Sequence, residues 1–266
     1  MTFVKLEAER IEEIANQDAG AWQVQIVEEI GSTNDQVREW GLQGAAAGIV
    51  LFAENQVKGR GRREKSWVAA AGRDLLFSVL LRPPIELSRW SRLTTLAALA
   101  VCKGIGDELP LEPEIKWPND VYVRGKKVCG LLAEVGSSSE GGFIVIGVGV
   151  NVNTRDFPEE IAATATSLCL EVDGGKREMD RTSLAGGLLH RLHQEFSRST
   201  DDLFVGAMEE VRERSFLMGK TVRAFVDGAE CFGRVMDLNP DGHLVLMMPD
   251  GSRRELSSAE NVRAVV

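Results

Sequence analysis

Four apolar runs in the first 152 residues restrict the fold of this chain more than any other feature. Several of them are continuous and do not alternate with polar residues, which is typical of strands that are covered on both faces of a sheet. The runs occupy residues 49–52, 75–81, 128–135 and 143–152.

The segments between and after these runs show the spacing of amphipathic helices. Residues 1–30 predict a short helix and a lead-in strand, and a longer helix is predicted from about Ser88, whose hydroxyl is placed to cap it. Two further helices are predicted at about 181–199 and 203–214. Strands mixed with helices indicate an α/β or α+β layered structure.

The chain changes character after about Met218. Asp-Gly pairs at 227–228, 241–242 and 250–251 separate short alternating apolar runs, and Asp-Gly is typical of hairpin turns that need a positive φ. About five short strands in so few residues predict a small barrel. The expected domains are therefore residues 1–217 and 218–266.

Composition excludes several classes of protein. The content of 44% hydrophobic residues permits a sizeable core, and the net charge of −9 argues against a general nucleic-acid binder. The four cysteines form no CxxC pair, so we expect small buried thiols in a reducing compartment. The N-terminus lacks an apolar signal core, and no run of 18 uncharged apolar residues occurs, so we expect a cytoplasmic protein without a membrane span.

A basic, glycine-containing segment is the first candidate for chemistry. Residues 56–67 hold five positive residues and one Glu64, which gives +4 in twelve residues of an acidic protein. Gly59 and Gly61 let backbone amides approach a ligand closely, and alternating glycine and arginine suits a polyphosphate. A solvated basic loop is the alternative interpretation.

Two other short segments carry polar residues that suit a ligand. Lys116 stands at a predicted strand end before Trp117-Pro118, where a partly buried cation is costly unless it meets an anion. A lysine that only extends its amine to solvent is the alternative. Residues 31–34, Gly-Ser-Thr-Asn, could surround a compact polar head group, or begin a helix, or do both.

The remaining motifs are weak. Residues 147–153 contain Gly-Val-Gly, but the dinucleotide-binding fingerprint and the Walker A motif are both absent, so a buried strand with glycines for close packing is equally consistent. The three histidines form no His-Asp-Ser arrangement, and no residues predict a metal site.

Taken together, the segments resemble the biotin protein ligase family, also called biotin–[acetyl-CoA carboxylase] ligases. The resemblance rests on the order and spacing of motifs over roughly residues 30–170. They are GSTN at 31–34, AENQ at 53–56, GRGRR at 59–63, KWPND at 116–120, GKKVCGLLAE at 125–134 and GVGVNVN at 147–153.

The resemblance implies a fold and an activity. The fold would be a mixed sheet flanked by helices, similar to class II aminoacyl-tRNA synthetases, with an SH3-like C-terminal barrel. Members use ATP and Mg²⁺ to convert biotin into biotinyl-5′-AMP, and then transfer biotin to a specific lysine of a biotin carboxyl carrier domain. Dimerisation through a sheet edge is common among relatives, so a homodimer is a further expectation. Carboxylate attack on the α-phosphate needs positioned cations more than acid–base groups, which agrees with the lack of a catalytic histidine.

The resemblance also assigns roles to residues. Lys116 and Arg60 would be the catalytic residues, with Lys116 on the biotin carboxylate and the α-phosphate. Biotin would also be bound by Ser32, Thr33, Asn34, Gln56, Gly61 and Arg62. The ATP or adenylate side would be formed by Arg62, Arg63, Trp67, Asn119, Lys127 and Asn151.

Two alternatives stay open at this point. A lipoate or octanoate ligase on the same scaffold would use similar segments, and a biotin-sensing regulator without catalysis would bind DNA. Only about 30 residues precede GSTN, too few for the winged helix of the repressor relatives, so the form without a DNA-binding domain is expected.

Overall fold

The computed structural model describes residues 3–18, 22–62, 65–226 and 228–265. Its larger sheet has seven strands in the order β1-β2-β3-β7-β6-β5-β4. Only the β1–β2 pair is parallel, so the sheet is mixed, as expected. The strands are β1 (Gln23–Ile30), β2 (Ile49–Gln56), β3 (Leu75–Leu81), β4 (Glu114–Lys116), β5 (Asp120–Val123), β6 (Lys126–Ser138) and β7 (Gly141–Val150).

Helices cover both faces of this sheet. Helices α1 and α3 each pack against α6 on one face, and α2 packs on β3, β6 and β7 at the other. The predicted capping role of Ser88 is wrong, because a short 3₁₀ turn at Leu87–Arg89 precedes α3 and its N-cap residue is Trp90. The helices are α1 (Ala8–Ala15), α2 (Thr33–Leu42), α3 (Ser91–Glu108), α4 (Glu159–Ala162), α5 (Leu168–Asp173), α6 (Arg181–Phe196) and α7 (Asp201–Glu213).

The continuous apolar runs are explained by two cores, one on each face. In β2, Val50 and Phe52 belong to the large core with α3 and α6, whereas Leu51 points the other way. Leu51 joins a smaller core with Val37 of α2 and Phe143 of β7. Because successive strand residues face opposite sides, a strand buried on both sides has to be apolar throughout.

The C-terminal segment forms a second sheet of five strands in the order β11-β10-β9-β8-β12. Gly228, Gly242 and Gly251 have φ near +80°, as the Asp-Gly turns predicted. Closure into a barrel is not confirmed, since the sheet is open, with β11 and β12 at its edges. The strands are β8 (Thr221–Val226), β9 (Ala229–Leu238), β10 (Leu244–Met247), β11 (Arg253–Leu256) and β12 (Glu260–Ala264).

The second sheet rests on the first. Its buried side chains, among them Val222 and Leu244, belong to the same apolar cluster as the core of the larger sheet. The Trp117 indole N–H donates to the carbonyl of Gly242 at 2.9 Å, which ties the β9–β10 turn to the KWPND segment. The C-terminal sheet is thereby fixed beside the candidate site.

The four cysteines are free and buried, as the sequence predicted. Burial raises the pKa of the Cys102 and Cys129 thiols above the usual range, which leaves them unreactive. No helix in the described ranges is long and apolar enough to cross a lipid bilayer.

Candidate active site

A cleft lies where the N-terminus of α2, the basic loop and strands β6 and β7 meet. It contains ten of the residues singled out by the motifs, which come from four separate parts of the sequence. Phe77, Leu131, Leu132, Val148 and three further glycines complete the wall. The ten predicted residues are Ser32, Thr33, Asn34, Gln56, Arg60, Gly61, Arg62, Trp67, Asn119 and Lys127.

One end of the cleft is a buried network of small polar side chains. The backbone N–H of Thr33 donates to Gln56 Oε1 at 2.7 Å, and the Thr33 hydroxyl lies 2.7 Å from that of Ser78. Ser78 Oγ donates to Asn34 Oδ1 at 2.6 Å, and Asn34 Nδ2 donates to Glu134 Oε2 at 2.7 Å. Buried groups held in this way keep one orientation, so they can discriminate a polar head group.

The Gly-Ser-Thr-Asn segment begins a helix, as one interpretation predicted, and its Ser, Thr and Asn also line the cleft. Helix α2 begins at Thr33, and Ser32 is its N-cap residue with extended backbone. The Ser32 side chain makes no capping hydrogen bond, however, although it lies in the cleft wall and is almost fully buried. Its hydroxyl is therefore available to a ligand.

The glycines of β7 create the space for this arrangement. A Cβ at Gly147 would lie 2.1 Å from Asn34 Oδ1, and one at Gly149 would lie 2.6 Å from the Trp67 indole. The Gly-Val-Gly pattern therefore allows close packing against a buried strand. The side chains that pack against its two glycines, Asn34 and Trp67, belong to the cleft.

The basic loop lies over the head-group end of the cleft. Gly61 N–H donates to Lys65 O at 2.6 Å, which closes the loop on itself. Arg60 Nη2 donates to Glu134 Oε2 at 2.9 Å and also contacts Asp35, while Arg62 Nη1 donates to Asn119 Oδ1 at 3.2 Å.

Two residues of the same loop, Arg63 and Glu64, lie outside the described residues. The adenylate contact predicted for Arg63 therefore stays a prediction.

The other end of the cleft combines a cation with an aromatic ring. Lys127 Nζ lies 2.6 Å from Asp120 Oδ1 and 5.3 Å from the ring centroid of Trp67. The Trp67 indole N–H is buried and has no hydrogen-bond partner among the described residues. A cation, an unpaired donor and an aromatic face together suit a nucleotide phosphate and base.

Two predicted residues lie outside the cleft wall. Lys116 is half-buried on the edge strand β4, and its Nζ donates to Tyr122 Oη at 2.9 Å. Burial lowers the pKa of the Lys116 ammonium below its ordinary value. Asn151 follows β7 and donates from Nδ2 to Thr166 O at 2.9 Å, while its buried Oδ1 has no partner in the described chain.

Sequence reasoning missed the residues that hold the cleft residues in place. Ser78 lies in the middle of an apolar run, and Glu134 and Asp120 were part of quoted motifs without a role. The available signal was Ser78 itself, a serine in a strand that is covered by apolar layers on both sides. A buried hydroxyl needs a hydrogen-bond partner, so its presence there indicates a polar neighbour.

The ion pairs of the basic loop lead to a prediction about proteolysis. Partly exposed pairs such as Arg60 with Asp35 contribute only about 0–1 kcal/mol each, so the free loop should open often. Biotin with ATP should add contacts to the arginines and slow trypsin cleavage at Lys58, Arg60, Arg62 and Lys65. Cleavage followed by mass spectrometry, with Arg124 as an exposed site away from the loop, measures this. Equal rates with and without ligands would show that the loop does not close over them.

Comparison with known proteins agrees with the motifs and the cleft. The model of the Biotin/lipoate A/B protein ligase family matches residues 26–151. A biotin–[acetyl-CoA-carboxylase] ligase of Mycobacterium tuberculosis is 34% identical over 252 residues, which covers 92% of this chain and 90% of that protein. The chain belongs to the biotin protein ligase family. The cleft is thus the candidate active site of a ligase of this family.

Two further comparisons extend the match. The bifunctional ligase/repressor BirA of Bacillus spizizenii is 30% identical over 236 residues, covering 86% of this chain and 70% of BirA. The structure of a biotin protein ligase from Aquifex aeolicus in complex with biotin and ATP has a TM-score of 0.80 at 27% identity, and the match covers 91% of this chain and 99% of that one. The C-terminal sheet is therefore part of the shared architecture.

Proposed function

We propose that this ligase activates biotin with ATP to biotinyl-5′-AMP and transfers the biotinyl group to a lysine of a biotin carboxyl carrier domain. The observation that carries the choice of biotin is the polar network at the closed end of the cleft. Biotin ends in a ureido ring with two N–H donors and one carbonyl acceptor. Ser32, Thr33, Asn34 and Gln56 supply the complementary groups.

The same network argues against lipoate or octanoate as the substrate. The far ends of those acids are apolar, so they would cover the Ser32 hydroxyl, which makes no capping hydrogen bond, without giving it a ligand partner. An unpaired buried polar group costs about 1–3 kcal/mol, and a site built to hydrogen-bond its substrate rejects analogues that lack the polar atoms.

In the first step, a biotin carboxylate oxygen attacks the α-phosphorus of ATP, the bond to the β-phosphate oxygen breaks, and pyrophosphate leaves. Negative charge gathers at the α-phosphate as two anions approach each other. Lys127 and Arg62, which both lie in the cleft wall, are the cations that would stabilise it. Stabilising this charge requires positioned cations and no transfer of a proton.

The assignment of Lys127 to the α-phosphate changes the role proposed for Lys116. Lys116 lies outside the wall of the cleft. Its cross-strand partner in the β4–β5 hairpin is Asp120, whose carboxylate contacts Lys127. Lys116 would therefore act farther along the polyphosphate, with Asn151 and Trp67 on the side of the base. Arg60 would orient biotin through the loop that it holds against α2.

Magnesium belongs to the substrate in this proposal. No three His, Cys, Asp or Glu side chains of the described residues gather as a metal cage. Mg²⁺ keeps several waters and binds nucleotide phosphates with few protein carboxylates, so MgATP needs no such cage.

In the second step, the neutral amine of the carrier lysine attacks the acyl carbon of biotinyl-5′-AMP, the bond from that carbon to the phosphate oxygen breaks, AMP leaves, and the nitrogen gives up one proton as the amide forms. A closed loop would protect the mixed anhydride from water until then.

We propose further that the C-terminal sheet is an SH3-like unit from residue 218 onward and that the catalytic unit resembles class II aminoacyl-tRNA synthetases. We also propose that the enzyme works in the cytoplasm, with a homodimer as the expected assembly.

The test is transfer of biotin to a purified biotin carboxyl carrier domain with MgATP, read by mass spectrometry of the carrier. Pyrophosphate exchange driven by biotin, lipoate or octanoate in parallel identifies the acid that is activated. Exchange with lipoate or octanoate and none with biotin would favour the alternative ligase. A gel shift on DNA without any exchange would favour the regulator, which the charge of −9 opposes.

A further inference from the structure

The only tyrosine of the chain, Tyr122, lies directly against Lys116. Lys116 Nζ donates to Tyr122 Oη at 2.9 Å and is 4.8 Å from the centroid of the same ring. Both residues belong to the β4–β5 hairpin, in which Glu114 pairs with Tyr122 and Lys116 pairs with Asp120. The hydroxyl is therefore carried on the strand next to the lysine that it holds.

The Tyr122 ring is itself held from the other side. It packs against Phe216 with 5.0 Å between ring centroids. Phe216 N–H donates to Ile115 O at 2.9 Å, and Ile115 N–H donates to Arg214 O at 2.7 Å, so the segment after α7 pairs with the free edge of β4. Strand β4 and the Tyr122 ring thus form one braced unit.

The charges around Lys116 leave its ammonium open to an anion. No carboxylate of the described residues forms an ion pair with Lys116; its polar partner is the neutral Tyr122 hydroxyl. Burial lowers the Lys116 pKa most strongly, and Lys127 of β6, Arg263 of β12 and Lys65 of the basic loop lower it further, whereas Asp120 of the same hairpin raises it. A cation among cations is unfavourable in the free protein, and a polyphosphate would relieve the repulsion.

We propose that Tyr122 is a positioning residue, which fixes the Lys116 ammonium where the polyphosphate of ATP extends beyond Lys127. This inference rests on the proposed adenylate-forming function. The phenol does not touch the reacting atoms: it accepts one N–H of the ammonium and leaves the other two donors for phosphate oxygens. A carboxylate in the same place would neutralise the charge of the lysine, whereas a hydroxyl holds the ammonium and leaves its charge in place.

Tyr122→Phe removes the hydroxyl and keeps the ring on Phe216. We expect kcat/KM for MgATP to fall about tenfold, the size of effect given by one hydrogen bond to a charged group, with unchanged biotin affinity. Because the hydroxyl favours the charged form of Lys116, its loss lowers the Lys116 pKa further. The decline of the rate at alkaline pH should therefore begin at lower pH than in the wild type.

Two further variants separate positioning from packing. The double variant Lys116→Ala/Tyr122→Phe should be no slower than Lys116→Ala, since Tyr122 acts only through Lys116. Phe216→Leu keeps the hydroxyl and disturbs the ring, so it should lower stability to urea and leave the alkaline limb in place. MgATP binding should also perturb the ultraviolet absorbance of the single tyrosine in the wild type.

Three results would overturn the inference while the ligase activity stands. They are wild-type rates in Tyr122→Phe, additive losses in the double variant, or an alkaline shift in Phe216→Leu as large as in Tyr122→Phe. If the wild type itself showed no biotin-dependent pyrophosphate exchange, the proposed function would fail and the role of Tyr122 with it.

Discussion

Replacing Lys127 with alanine should lower the rate of biotin-dependent pyrophosphate exchange by about 10²–10³, the usual effect of losing one preorganised charge contact at a transition state. Lys127 Nζ is held by Asp120 at 2.6 Å and by the face of Trp67, so it meets the phosphate without reorganising. Its removal also leaves the Asp120 carboxylate unpaired, and an uncompensated negative charge opposes a second anion in the same cleft.

Lys126→Ala is the matched control for this experiment. Lys126 is the exposed neighbour of Lys127 in β6, and successive residues of a strand face opposite sides. The control removes the same charge from the chain, so any general effect of net charge on nucleotide binding appears in both variants. If Lys127→Ala catalysed pyrophosphate exchange at a rate within about threefold of the wild type, the proposed contact of Lys127 with the α-phosphate would be wrong. Lys127→Arg should recover little, because a planar fork does not replace a point charge.

The contrast between Lys116 and Lys127 shows what the sequence could reveal. KWPND and GRGRR are the specific motifs, and the resemblance that they carry assigns Lys116 and Arg60 as the catalytic residues. The structure places Lys127 in the cleft wall and Lys116 outside it, because β4 is the edge strand, whereas β6 lies beside β7 at the cleft. Strand order depends on pairings between distant segments, and no local pattern of residues records it.

Other features were predictable because they depend on local periodicity. The apolar runs required strands covered on both faces, and β2 contributes Phe52 to one core and Leu51 to the other. The Asp-Gly turns required positive φ, and Gly242 has it. The sequence could not show which side chain packs against each glycine, since Gly149 and Trp67 come into contact only in the folded chain.

A methyl group at Gly147 should weaken biotin binding by displacing Asn34. The Cβ of Gly147→Ala would lie 2.1 Å from Asn34 Oδ1, well inside contact distance, so the amide has to move. Asn34 cannot move without breaking its hydrogen bonds to Ser78 and Glu134, the two groups that orient it. We expect biotin affinity to fall at least about tenfold, or about 1.4 kcal/mol, in calorimetry. Stability to urea should fall by about 1–3 kcal/mol, as in other overpacked cores.

A double variant separates the two effects of that methyl group. Gly147→Ala/Asn34→Ala removes the overlap, so stability should largely return, while biotin affinity should stay as low as in Asn34→Ala alone. Gly106→Ala in α3 is the control, because its Cβ would have no neighbour closer than 3.6 Å and should leave biotin binding unchanged. If Gly147→Ala bound biotin as tightly as the wild type, Asn34 would not be a head-group ligand. The polar network would then be structural, and the preference for biotin over an apolar acid would have to come from another part of the cleft.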